Sequence, residues 1–193
     1  MASRGCFGAF VYTVAMRFAK AATNTNLQRT LTNHEWEKYC FVAMGSLYGV
    51  ELLHDNCVAC REWLYKIVEG EYKHVARKQQ NPAFLDAVWY VPERNVLNGN
   101  ALSLKAVDEN GNDTDEPIIF SEWSIVTGDR VKRCDFRLDE MLEGGSGQQQ
   151  VPLFGLSDTP SSEWELDEET GSLIPKPIRE FPLVSFYEVA KVD

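Results

Sequence analysis

The chain has 193 residues, 44% of them hydrophobic and 25% charged, and a formal net charge of −10 at neutral pH. That length makes one domain, or one domain with an appended arm, and the apolar content excludes wholesale disorder and dependence on covalent staples. The charge is split: residues 1–96 hold 11 Lys+Arg against 9 Asp+Glu and residues 97–193 hold 8 against 20, so two segments with different work are expected.

The N-terminus opens with an apolar run from Cys6 to Met16 that is flanked by Arg4 and Arg17 and broken by Gly8, Tyr12 and Thr13. A strand or helix opening the fold is preferred here to a cleaved signal peptide. The run falls short of the roughly 18–20 apolar residues that cross a bilayer, so no membrane is expected. Five cysteines form no even ladder of spacings, which points to reduced thiols in a cytosol-like compartment or an assembled particle.

The first half reads as helical. Thr32 fits an N-cap, Glu35 completes a capping box at N3, and Leu31 can staple onto Trp36 at N4. From there Trp36, Cys40, Met44 and Leu47 recur at helical spacing. A second helix is predicted after Asp55 or Asn56, with a stripe of Cys60, Leu64, Val68, Tyr72 and Val75 and a weak point at Gly70 that leaves one helix or two shorter ones open. Asn81-Pro82 reads as the cap and N1 of a third helix through Phe84, Leu85 and Val88, halted by Pro92.

The middle switches to a period of two. Leu102, Leu104 and Ala106 share one face of Ala101–Val107. Ile119, Trp123 and Ile125 share one face of the next run, and Cys134, Phe136 and Leu138 one face of Arg130–Leu138. Turn signals at Asn110-Gly111 and Thr127-Gly128-Asp129 make these an antiparallel meander packed on the helices. Residues 143–150, rich in Gly, Ser and Gln, read as a flexible hinge closing a core domain of residues 1–142. Residues 151–193 read as an acidic, proline-rich arm ending in a strand at Pro182–Val192, which adds to this chain's own sheet or a neighbour's.

Each reactive pattern has a simpler reading. His54, Cys57 and Cys60 have zinc-ligand chemistry, but a second ligand pair is missing at suitable spacing, and on a helix the thiols make no knuckle. A redox Cys-x-x-Cys would follow a buried strand, whereas this one follows a helical segment. Arg29 and His34 have the spacing of the Arg-x(4–6)-His motif of HEPN-type ribonucleases, yet the cap at Thr32 would separate them. Gly144–Gly147 lacks the Lys-Ser/Thr ending of a phosphate loop, and Asp167, Glu168 and Glu169 read as a solvated acidic run. Lys66, Lys73, Arg77 and Lys78, with Tyr65 and Tyr72 between, form a basic patch able to touch phosphate or the acidic arm of another copy.

The reading is an α+β fold: an N-terminal helical layer on a small antiparallel sheet, with an extended acidic C-terminal arm. The expected function is non-enzymatic: a subunit of a larger complex, by analogy a virus particle or nucleoprotein machine. It would bind protein partners, further copies of itself included, through Trp164, Val184, Phe186 and Tyr187 of the arm. No cofactor and no metal is assigned, and nucleic acid is not favoured. Two alternatives are an acidic nucleic-acid mimic that inhibits a basic protein, and a small nuclease or zinc/thiol enzyme using His34 or Cys57 and Cys60.

Overall fold

In a computed structural model the described residues are 32–145, 164–166 and 173–193. The opening apolar run, Leu31 of the staple, Arg29 and most of residues 146–172 lie outside them. The fold is α+β, as the sequence predicts.

Helix α1 (Asn33–Gly45) begins at the predicted capping box: the Glu35 amide donates to the Thr32 hydroxyl at 3.2 Å, and the Thr32 amide donates to the Glu35 carboxylate at 2.9 Å. A three-residue strand β1 (Gly49–Glu51) leads into α2 (His54–Ala76), which is one continuous helix. Gly70 does not divide it, because Leu64, Val68, Tyr72 and Ala76 bury a stripe on both sides of the glycine. Cys60 packs half-buried against the core at the head of that stripe, as predicted, Cys57 is buried beside it, and Val75 lies off it, a correction to the predicted register.

Helix α3 (Pro82–Asn95) starts at the predicted Asn81 cap, whose side chain accepts from the Ala83 amide. It does not stop at Pro92. The helix runs through that residue because Phe84, Ala87, Val88 and Val91 are wholly buried and hold the segment against α1 and α2. An interior proline costs about 3 kcal/mol, which burial on this scale offsets.

The predicted meander divides between two sheets. The first is mixed, in the order β1-β2-β3-β4, where β2 is Val96–Asn100, β3 is Lys105–Val107 and β4 is Asp113–Pro117. Strand β2 runs parallel to β1 and antiparallel to β3. Residues 101–104 form a turn instead of extending the strand, with Leu102 96% exposed and Leu104 at φ 61°. The second sheet holds β5 (Ile119–Thr127), β6 (Arg130–Arg137), β9 (Arg179–Glu180) and β10 (Val184–Ser185). Strands β5 and β6 form the predicted hairpin, but β6 buries the opposite set of side chains. Val131, Arg133 and Asp135 face inward, while Cys134 and Phe136 are only half-buried.

Helix α4 (Leu138–Gly145) takes up the start of the predicted hinge, so residues 143–145 are helical. The hairpin of β7 (Trp164–Leu166) and β8 (Leu173–Pro175) follows, and a short 3-10 turn at Val189–Lys191 ends the fold. Pro182–Val192 is therefore not one strand.

Candidate functional site

The inner face of β6 carries an ionic cluster that hydrophobic patterning does not reveal. Arg133 donates from Nε and Nη2 to the two oxygens of Asp135, at 3.0 Å each, and from Nη1 to the Tyr90 hydroxyl at 2.6 Å. Ser121 on β5 donates to Asp135 at 2.6 Å. The guanidinium lies 3.9 Å from the Phe181 ring centre, and Asp193 joins Tyr90, Arg94 and Arg133 at the rim. A buried charge is tolerable only when it is paired and hydrogen-bonded in this way.

A second closed cluster surrounds Glu37 of α1. The hydroxyls of Tyr72 and Tyr187 both donate to its carboxylate, and Tyr72 also accepts from the Asn81 amide at 2.9 Å. Burial, reinforced by the Glu37 hydrogen bond, pushes the Tyr72 phenol up to about 12 and raises Tyr187 as well. Burial, with the Glu37 charge added, likewise pushes the Cys40 thiol up to about 12.

Both clusters draw in the C-terminal segment, and this corrects the arm. The Ile178 and Phe181 amides donate to the Asp135 and Arg133 carbonyls at 2.8 and 3.0 Å, and the Phe186 amide to the Asp129 carbonyl at 2.9 Å. Val184 pairs with Val131 on β6, Tyr187 holds Glu37, and Phe186 is wholly buried against Phe41, ring centres 5.3 Å apart. Phe186 is closed within this chain's own core, and Val184 and Tyr187 pack half-buried against it. The reason is local: β6 offers a bare edge one hairpin away, and the segment's apolar residues fill the space beneath it. Trp164 lies in β7 opposite Pro175. The remainder of the acidic run falls outside the described residues.

The other sequence candidates are dispersed. The Cys57 thiol donates to the Val96 carbonyl at 3.2 Å, and burial raises both the Cys57 and Cys60 thiols, the reverse of what a nucleophile needs. His54 is exposed at the start of α2. No group of three His, Cys, Asp or Glu is arranged to hold a metal among the described residues. His34 sits exposed in the first turn of α1, its ring 6.0 Å from that of Phe186. In the basic patch, Lys66 pairs with Glu62 and Lys73 with Glu69 one helical turn back, leaving Arg77 and Lys78 as its exposed cations without an ion-pair partner among the described residues. No helix of the described residues is long and apolar enough to cross a membrane.

Among the described residues the buried side-chain atoms without a hydrogen-bond partner are Arg94 Nε, Ser103 Oγ and Trp123 Nε1, and further unmet bonding capacity lies in the backbone. Among the described residues strand β5 ends the second sheet and pairs only with β6. Its Ser121 turns outward, and both of its backbone groups are capped: the amide donates to Asn95 Oδ1 at 3.1 Å and the carbonyl accepts from the Tyr48 hydroxyl at 3.4 Å. The period of two then turns the N–H and C=O of Trp123 and Ile125 outward as well. Among the described residues neither has a backbone partner there. Trp123 and Ile125 point their side chains into the core, whereas Glu122, Ser124 and Val126 are exposed on the outer face.

The two long-edge solutions differ. The edge strand β4 reads Asp-Thr-Asp-Glu-Pro, and its charges and proline are the devices that protect an edge. The β5 edge from Trp123 to Thr127 carries no charge and no proline. That uncharged, β-branched run was visible in the sequence. Its position at the end of a sheet was not.

Comparison with protein-family models, with curated proteins and with solved structures finds no match for this chain.

Proposed function

We propose that this chain is a non-enzymatic interaction subunit that binds another protein chain through the open edge of β5. The observation that carries the reading is the pair of outward N–H and C=O groups at Trp123 and Ile125, which have no backbone partner among the described residues. An extended segment laid along them gains main-chain hydrogen bonds, and alternate side chains supply selectivity. Two further features support the reading. The buried ionisable groups around Arg133 and Glu37 are consumed by internal partners, and the edge is presented on a hairpin fixed by α1, α3 and the C-terminal segment.

The interaction surface differs from that expected of the arm. Truncation after Glu143 would remove Phe186 and Tyr187 from the core, so it tests folding and not binding. The direct test places a photo-crosslinking side chain at Val126, which is 58% exposed beside the edge, or at Lys66 on the far helix as a control, in full-length protein expressed in its native cells. Discrete crosslinked species from Val126 and none from Lys66 support the reading. Equal labelling at both, or none at Val126, overturns it.

A further inference from the structure

We propose that Arg94, Arg133 and Tyr90 form a binding site for a phosphoryl group, in which the Asp193 side chain stands as an internal occupant that the ligand displaces. The site lies at the rim of the ionic cluster, where α3, β6 and the C-terminal segment meet. It goes beyond the reading of the β5 edge and does not rest on it.

The count of donors carries the inference. One oxygen of the Asp193 carboxylate accepts from Arg133 Nη1 at 3.2 Å and from the Tyr90 hydroxyl at 3.1 Å, and the other accepts from Arg94 Nη2 at 2.5 Å. Both oxygens are then in use. Arg94 Nε nevertheless stays buried without a hydrogen-bond partner among the described residues. In a guanidinium the Nε–H and the adjoining Nη2 N–H leave one edge of the plane in parallel, the fork that Arg133 closes on Asp135. Arg94 therefore holds Asp193 with one prong of two. A carboxylate has no third oxygen to offer. A phosphoryl group has three: one replaces the oxygen shared by Arg133 and Tyr90, and the other two close the Arg94 fork.

The surroundings suit such a ligand. The Arg133 side chain is only 7% exposed and fixed by Asp135, and Arg94 stacks on the Tyr90 ring, its Cζ 4.8 Å from the ring centre, so the donors are preorganised. Asp135 neutralises Arg133, which leaves the Arg94 charge to Asp193. Asp193 is 58% exposed, so its ion pair is weak and its release costs little. The planar fork matches phosphate in a way that a lysine ammonium does not.

Side-chain nitrogen-15 spectra of the full chain read the site directly. Inorganic phosphate, exchanged for chloride at constant ionic strength, should shift the Arg94 Nε–H resonance saturably. The tethered Asp193 competes at about millimolar effective concentration, so titration to about 50 mM covers the wild-type chain. Asp193→Asn removes the competitor at an exposed position. It should lower the half-saturating phosphate concentration by about tenfold, the worth of one charge-assisted hydrogen bond. Arg94→Lys in that background keeps the charge and removes the fork, and should raise the concentration again by about tenfold, read from the phosphorus-31 line. Dispersed amide spectra report that each variant is folded. Methyl phosphate saturating alongside inorganic phosphate assigns the site to phosphate esters, and saturation by inorganic phosphate alone assigns it to the free ion; either supports the inference. An Arg94 resonance that responds in neither the wild-type chain nor Asp193→Asn overturns it. So does equal binding after Arg94→Lys, because charge alone would then account for the effect.

Discussion

Arg133 and Asp135, two residues apart on β6, form a two-pronged ion pair on the buried face of the sheet, with side chains only 7% and 10% exposed. Strand periodicity sends both inward, where an apolar pair would be the usual occupant. The guanidinium is also sandwiched by aromatic rings and shared with Tyr90, so it locks the hairpin to α3 and to the C-terminal segment. Removing one partner strands a buried charge. Arg133→Leu is expected to cost about 3–5 kcal/mol in urea unfolding, and the double variant Arg133→Leu/Asp135→Leu appreciably less than the sum of the two single changes.

The Glu37 cluster predicts an alkaline limit. Tyr72 and Tyr187 are raised by burial first and by their bonds to Glu37 second. Their folded-state values therefore lie above the unfolded value of about 10. In this window the unfolded chain loses protons before the folded one, so stability is whole below about pH 10 and falls as pH rises toward 12. Urea midpoints measured from pH 8 to 11.5 should show that fall, with tyrosinate absorbance lagging behind free tyrosine. Tyr187→Phe should reduce the slope, while costing about 1.5–3 kcal/mol at neutral pH through loss of a hydrogen bond to a charged group.

Phe186 separates a structural segment from a detachable arm. It is wholly buried against Phe41 and Tyr187. Phe186→Ala should cost about 3–5 kcal/mol, the range for emptying an aromatic site in a core. A residue on an arm packed outside the fold would cost under about 0.5 kcal/mol, as surface changes do. Thermal unfolding of the full chain decides between the two values.

Two positions, the half-buried Gly70 inside α2 and the exposed Arg77 at its C-cap, should yield gains. A Cβ at Gly70 would meet nothing within 4 Å, so Gly70→Ala is expected to stabilise by about 0.5–1 kcal/mol through chain entropy and helix propensity. Arg77 closes the same helix at φ 52°, ψ −109°, a conformation that suits glycine and strains other residues. Arg77→Gly should add about 1 kcal/mol. Chemical denaturation measures both.

Local devices were the legible part of the sequence. The box at Thr32 and Glu35, the cap at Asn81, the turn at Asn110-Gly111 and the hairpin around Gly128 each depend on residues a few positions apart. Misreadings arose where distant contacts overrode local preference. Pro92 stays helical because α1 and α2 hold α3. Strand β4 went unseen because an edge strand exposed on both faces has no reason to alternate. The face of β6 was inverted because its buried positions hold Arg133 and Asp135, whose burial depends on partners 43 to 60 residues distant.

The amino-acid order by itself determined the helix starts, the switch to strands after the helices, and the uncharged character of the run after Glu122. These are short-range matters of capping, periodicity and composition. Tertiary structure alone decided that the C-terminal segment closes its own core and that the β5 edge is left without a strand partner among the described residues. Both depend on which backbone groups find partners once all the elements compete for them, and that competition is settled only in three dimensions.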